Sequence, residues 1–168
     1  VRSRYSGLVS YQAQWDRAPR VDFWRHVDLI GVSAWFPLIP TDGRPELAEG
    51  TTWIAALERL DAMAAAENRP VLVTAVGYPS HSLALQQPWE AQPGADIPPD
   101  ESLQRDALSE FLRAYEALDP RYPRQAGFFI YRWAHPRDAA AYSHAVTGKQ
   151  SEALVREALD RLAGYAKR

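Results

Sequence analysis

The sequence predicts an α/β protein built from parallel β/α units. Four apolar or aromatic runs have the length of β-strands, and three amphipathic segments have helical periodicity. The strand runs and helical segments alternate along the 168 residues. Such alternation is typical of parallel strands joined by right-handed crossovers. The length suits one domain, so we expect residues 1–168 to form a single domain.

The four predicted strands each end in an aromatic residue. They read GLVSYQAQW, VDLIGVSAW, PVLVTAVGY and QAGFFIYRW, over Gly7–Trp15, Val27–Trp35, Pro70–Tyr78 and Gln125–Trp133. The second and third runs are apolar on both faces. Continuous apolar strands indicate a parallel sheet that helices cover.

Three segments repeat apolar residues at intervals of three and four, which predicts helices over Thr51–Asn68, Glu101–Leu118 and Ser151–Ala166. Asp100 precedes the second of these, and its carboxylate is a suitable N-cap for the free amides of the first turn. The connection Asp16–His26 is too short for a full helix. We expect it to hold one or two helical turns around Phe23 and Trp24.

Two long loops follow the carboxyl ends of predicted strands. Phe36–Gly50 follows the second strand, and the proline-rich Pro79–Asp100 follows the third. Proteins of the α/β class build their sites on this side of the sheet, and structureless loops of such length are usually functional. We therefore look for the site in the strand ends and these two loops.

Composition excludes several classes of function. The 19 basic and 21 acidic residues give a net charge of −2, which leaves no electrostatic footprint for nucleic acid. No apolar run approaches the roughly 18 residues of a membrane span. Cysteine is absent, and the four histidines lack metal-ligand spacing, so we expect no metal and no cofactor. The phosphate-binding glycine motifs and the serine-hydrolase elbow are also missing from the sequence.

An ordered set of segments resembles the second half of the (β/α)8 barrel of glycoside hydrolase family 113, a family of β-mannanases. The segments are Tyr11–Asp16, Phe23-Trp24, Val27–Leu38, Pro70–Ser80, Pro88-Trp89, Ala126–Phe129 with Trp133, and Thr147–Lys149. The resemblance implies that the chain supplies the fifth to eighth strands (5–8) of a TIM barrel. It also implies descent from enzymes that hydrolyse β-linked polysaccharide, and it favours an extracellular or periplasmic location.

The sequence departs from the family where the resemblance implies catalysis. The family's nucleophile is a Glu in a Thr-Glu-Val-Gly-Tyr context, and Ala75 stands at this position. The alternative is that Ala75 is an ordinary core alanine. The acid/base Glu belongs to the fourth strand, which by this resemblance would lie before Val1. Ser33 stands where the family usually has Asp. Retaining hydrolysis needs two carboxyl groups about 5 Å apart. We therefore expect a catalytically impaired domain, that is, a pseudoenzyme.

Three origins for Ala75 are compatible with the sequence: a naturally degenerate relative, a deliberate Glu→Ala inactivation, and a fragment of a larger inactive protein. Three functions are compatible as well. The chain is a glycan-binding domain, an active glycosidase completed by an N-terminal half, or a non-catalytic assembly module. Because four strands cannot close a barrel, we expect the partner to be that missing half or a second copy of the chain.

Aromatic side chains mark the predicted substrate site. Flat rings at the strand ends and in the third-strand loop suit stacking on pyranose rings, and they are Trp15, Trp35, Tyr78, Trp89 and Trp133. The alternative is that these rings plug the end of the barrel. The resemblance favours sugar contact, with a β-linked polysaccharide or oligosaccharide as the ligand.

Polar candidates are fewer. Asp16 is the nearest strand-end carboxylate. It either binds sugar hydroxyls, or acts as a substitute acid, or caps the following helical turn. His81 and His135 lie in strand-end loops and are suitable hydrogen-bond partners for a sugar, although a surface position is the simpler expectation. Arg132 either faces the site or turns toward the helices.

Overall fold

The computed structural model describes residues 4–39, 51–92, 94, 96–118 and 124–165. Four strands form one sheet: β1 (Ser10–Gln14), β2 (Leu29–Ser33), β3 (Val71–Val76) and β4 (Gln125–Ile130). They lie in the order β1-β2-β3-β4, and every neighbouring pair is parallel. The predicted α/β class is therefore confirmed.

Three helices complete the β/α units: α1 (Trp53–Glu67), α2 (Glu101–Leu118) and α3 (Ser151–Tyr165). The bounds of α2 agree with the prediction, and those of α1 and α3 agree to within two residues. The β1–β2 connection holds two short 3-10 turns, Ala18–Arg20 and Trp24–His26, as its length predicts. None of the described helices has the length and apolar content that crossing a lipid bilayer requires.

One face of the sheet packs against the helices. The register pairs Ile30 with Val71 and Val32 with Val73, and all four side chains are fully buried in the core that the helices share. Side chains of opposite parity point to the other face, which we call the open face. Burial of the β-branched side chains on the helical side is the main stabilising term for this layer.

An aromatic cluster anchors α1 to the carboxyl end of the sheet. The fully buried Trp53 contacts Phe36, Tyr78 and Phe111 with ring centroids 5.5, 6.4 and 4.7 Å away, all close to edge-on. Edge-to-face contacts add about 0.5–1.5 kcal/mol per pair beyond the buried area. The cluster joins α1, α2 and the residues after β2 and β3, and so fixes where the two long loops begin.

The strands are shorter than the sequence predicts, because each predicted run includes residues that leave the regular ladder. Single backbone bonds continue beyond the strands: Trp15 N–H donates to Ser33 O at 3.1 Å, and Ala34 N–H donates to Ala75 O at 2.7 Å. The register is also irregular after Val32 and beyond Val73. These irregularities interrupt the regular pairing of the strands near their carboxyl ends.

Both edges of the sheet are unpaired in the described part of the chain. β1 pairs with β2 alone, and β4 pairs with β3 alone. Leu8 and Phe129, which lie beside and on the edge strands, are 71% and 61% exposed. Unpaired strand edges and exposed apolar side chains favour association with further strands.

The cap of α2 gives a test of the fold. Asp100 accepts from Leu103 N–H at 2.9 Å and from the Ser102 hydroxyl at 2.7 Å, and these bonds lower the pKa of its carboxyl. We expect Asp100→Ala to lower the free energy of unfolding by about 1 kcal/mol in urea at pH 7. This loss of unfolding free energy becomes smaller at a pH below the lowered pKa, because the Asp100 carboxyl of the unchanged protein is then protonated. Asp100→Asn is the control, since its amide oxygen still caps, and equal losses in both variants would contradict this role.

Candidate functional site: a tryptophan-walled cleft at the carboxyl edge of the sheet

A cleft of about 440 Å³ opens at the carboxyl edge of the sheet. Four residues predicted from the sequence line it together: Trp15, Asp16, Trp35 and Trp89. The structure adds Gln14, Ala91, Tyr131 and His144. These side chains come from the ends of β1, β2 and β4, from the loop after β3, and, for His144, from the segment between β4 and α3. The cleft therefore lies where parallel topology gathers the strand ends.

Trp35 is held in the cleft wall by two rings placed edge-on to it. Its ring centroid lies 5.3 Å from that of Tyr131 and 5.1 Å from that of His144, with interplanar angles of 86° and 72°. Trp15, which also lines the cleft, packs against Phe36 with ring centroids 5.1 Å apart. Such packing limits ring rotation. The cleft thus presents flat apolar surfaces in fixed positions.

A row of three uncharged residues crosses the open face from the cleft. The register places Gln14 beside Ser33, and Ser33 beside Ala75, so the three side chains share one face. Ala75 is 8% exposed and lies outside the core shared with the helices. Gln12 donates from Nε2 to the Ser33 hydroxyl at 2.8 Å. The row offers an amide, a hydroxyl and a methyl group, and no carboxylate.

Asp16 supplies the one carboxylate that lines the cleft within the described ranges of the chain. The following 3-10 turn has no side-chain cap, so Asp16 does not cap it. Its carboxylate lies 3.5 Å from Nε of Arg17, with both side chains partly exposed. Among the described residues, no group of three or more His, Asp and Glu side chains is placed to hold a metal ion.

His144 is buried in the wall of the cleft and is uncharged at neutral pH. Its Nε2 lies 2.6 Å from the carbonyl oxygen of Pro88. Burial lowers the pKa of the imidazole to about 4. The hydrogen bond to Pro88 opposes this shift, while the charge of Lys149 adds to it. The sequence carries no local signal for this residue, because its partners come from distant segments.

Lys149 belongs to the segment Thr147–Lys149 that resembles the family. Its amine forms hydrogen bonds to neighbouring loops. Its Nζ donates to the Ser80 hydroxyl at 2.5 Å and to the Ser143 carbonyl at 2.8 Å. Burial lowers the pKa of the amine to about 8. Gln104 of α2 donates to Tyr78 O at 2.8 Å in the same polar cluster. These bonds join the segments that follow β3 and β4.

Two predicted aromatic site residues lie elsewhere. Tyr78 is buried, and its hydroxyl donates to Phe36 O at 3.4 Å. Burial raises the pKa of this phenol well above its usual value. Trp133 is partly exposed and lies beneath the guanidinium of Arg156 on α3, 4.6 Å from the ring centroid. The structure therefore does not bring Tyr78 or Trp133 to the cleft.

The two loop histidines differ from each other. His135 is exposed, as predicted. The prediction of a surface position for His81 is wrong, because its side chain is fully buried. Its Nδ1 accepts from Leu83 N–H at 3.2 Å, and its Nε2 lies 2.7 Å from Glu90 O. His81 thus forms hydrogen bonds within its own loop. The polarity of a histidine does not by itself predict that its side chain is buried.

Comparison with known proteins points to one family. A sequence profile of glycoside hydrolase family 113 matches residues 1–151. The β-mannanase of this family from Alicyclobacillus acidocaldarius, solved in complex with ManMIm, superposes with a TM-score of 0.71 at 30% identity. That match covers 95% of this chain and 47% of the mannanase. A search of curated protein sequences gave no match.

More distant structures share the fold. A β-1,4-mannanase of family 113 superposes with a TM-score of 0.68 at 21% identity, over 95% of this chain and 47% of that one. A family 2 β-galacturonidase from Eisenbergiella tayi, bound to galacturonate, gives 0.58 at 14% identity, over 89% and 27% of the two chains. The chain thus spans about half the length of the mannanases it matches, as part of a barrel.

The lowered pKa of His144 predicts a pH-dependent stability. Between about pH 6.5 and 4 the unfolded chain binds a proton at this residue and the folded chain does not. We expect the free energy of unfolding to fall across this window as pH decreases, by up to about 3 kcal/mol. His144→Gln lacks this component, so its urea-denaturation profile between pH 7 and 4 should be flatter. Parallel profiles for the two proteins would contradict the assignment.

Proposed function

The chain belongs to glycoside hydrolase family 113, and we propose that its cleft binds a β-linked mannan-type oligosaccharide without hydrolysing it. The supporting observation is the meeting of Trp15, Trp35 and Trp89 in one cleft at the carboxyl edge of the sheet. Pyranose rings carry apolar C–H faces that flat aromatic rings bury. The β-mannanase at 30% identity makes mannan the first ligand to test.

Polar groups beside the tryptophans suit a neutral sugar. Gln14 and Asp16 lie at the end of β1 and line the cleft with the aromatic rings. An amide both donates and accepts hydrogen bonds, and a carboxylate accepts from two hydroxyls. A pocket with apolar faces and a few polar groups is the usual arrangement for small-molecule binding. The described lining residues include no lysine or arginine, so the cleft does not favour an anionic ligand.

The proposed loss of catalysis rests on Ala75. Double displacement needs a nucleophilic carboxylate about 5 Å from a second carboxyl group. The row Gln14–Ser33–Ala75 has none, and among the residues that the structure describes Asp16 is the single carboxylate that lines the cleft. A methyl group neither attacks an anomeric carbon nor stabilises positive charge there. If another half of the barrel supplied an acid/base residue, the combined site would still lack a nucleophile at position 75.

Association with further strands is the second part of the proposal. Within the part of the chain that the structure describes, the outer edges of β1 and β4 have no strand partner, which leaves their backbone donors and acceptors for another strand. The mannanases that this chain resembles are about twice as long. We therefore expect an N-terminal half-barrel or a second copy of the chain to cover these edges. A protein that associates strongly and ignores sugar would instead be an assembly module.

The glycan-binding proposal predicts the effect of Trp89→Ala. Loss of one stacked ring worth about 1 kcal/mol weakens binding of mannopentaose about fivefold in isothermal titration calorimetry. Trp133→Ala is the matched control, since Trp133 is similarly exposed but lies against Arg156 outside the cleft. We expect the control to bind as the unchanged chain does. Equal weakening by both substitutions, or no heat at millimolar sugar, would count against the proposal.

The role of position 75 is tested with an activated substrate. 2,4-Dinitrophenyl β-mannoside has a leaving group that needs no general acid. We expect Ala75→Glu to release a burst of dinitrophenolate as a glycosyl-enzyme forms, while Ala75→Gln and the unchanged chain stay at background. Circular dichroism verifies the fold of each variant. Turnover of mannan by the unchanged chain would refute the proposed impairment.

A further inference from the structure

Trp89 lies between two backbone carbonyls that each bind a buried histidine. The oxygen of Pro88, the residue before it, lies 2.6 Å from Nε2 of His144. The oxygen of Glu90, the residue after it, lies 2.7 Å from Nε2 of His81. The two imidazoles are 4% and 0% exposed. Two short bonds thus fix the backbone on both sides of the tryptophan.

The tautomer of both rings follows from their partners. A carbonyl oxygen only accepts hydrogen bonds, so Nε2 carries the proton in His81 and in His144. Nδ1 of His81 accepts from Leu83 N–H, which requires this nitrogen to be unprotonated. Each histidine therefore donates a hydrogen bond from Nε2 to the loop. A surface histidine that exchanges protons and rotamers would not fix a backbone in this way.

The two histidines are anchored in different segments. His81 belongs to the base of the same loop, where Asp100 N–H donates to Ser80 O at 2.9 Å and closes its ends. His144 belongs to the segment after β4, where Lys149 binds the neighbouring Ser143 carbonyl at 2.8 Å. One bond ties the loop to its own base, and the other ties it to the next loop of the rim.

We propose that His81 and His144 are positioning residues that hold Trp89 ready to stack on the sugar. This inference rests on the proposed function of the cleft. The Trp89 side chain is 37% exposed and lines the cleft, while its neighbours in the chain are fixed from behind. A side chain whose backbone is already ordered loses less entropy when it binds. The histidines thus raise affinity through the position of Trp89.

A double-mutant cycle tests whether the histidines act through Trp89. His144→Phe keeps a flat ring beside Trp35 but removes the donor, and His81→Asn keeps an acceptor for Leu83 N–H but removes the bond to Glu90. We expect each to weaken mannopentaose binding about fivefold in calorimetry. The same substitutions in a Trp89→Ala background should cause no further loss. His81→Gln, whose amide replaces the Nε2 donor to Glu90 O at a residue outside the cleft lining, should bind as the unchanged chain does.

Equal losses with and without Trp89 would overturn the inference, since the histidines would then act elsewhere, for example through Trp35. Unchanged affinity in both donor-deletion variants would overturn it too. A measurement without sugar tests the positioning role of the histidines independently of the proposed function. The Trp89 indole N–H resonance, assigned by its loss in Trp89→Phe, should shift and broaden in His144→Phe and His81→Asn but stay in place in His81→Gln.

If the unchanged chain does not bind mannopentaose, the proposed function fails and the resonance measurement alone decides the positioning role. A Trp89 signal that is identical in all the histidine variants would then overturn it. Should His144→Phe fail to fold, His81→Asn supplies the same test from the other side of the loop.

Discussion

The parallel register of the sheet is the constraint on which the rest of the structure depends. Because all four strands run the same way, their carboxyl ends and the following segments meet at one edge. The shift in register after Val32 places Ala75 rather than Thr74 beside Ser33. One step of backbone pairing therefore decides which side chain of β3 joins Ser33 in the row on the open face.

Buried polar bonds make the rim of the sheet rigid. A buried polar group costs free energy unless it is paired, so a cluster such as Lys149, Ser80 and Ser143 persists only in one arrangement of its loops. His81 and His144 add bonds of the same kind around the loop after β3. The rim thus keeps its shape although it consists mainly of loops, which suits binding to a rigid ligand such as a pyranose.

Sequence reasoning succeeded where local patterns determine structure. The bounds of α2 followed from its apolar spacing and the cap at Asp100, because both are properties of adjacent residues. The sequence predicts Trp15 and Trp35 at strand ends, which converge in any parallel sheet, and the structure brings both to the cleft. The local pattern does not show that Tyr78 is buried or that Trp133 contacts Arg156, because these contacts come from other segments. The buried histidines depend on partners up to 56 residues away.

The proposed function assigns the cleft to sugar binding and no catalytic step to the open face of the sheet. Stacking surfaces and hydrogen-bonding groups remain at the cleft, while the row that crosses the open face has no charge. A crystal structure of the chain soaked with mannopentaose tests this most directly. We predict an uncut oligosaccharide with pyranose rings against Trp35 and Trp89. Shortened sugar in the cleft, or sugar bound only at another surface, would contradict the account.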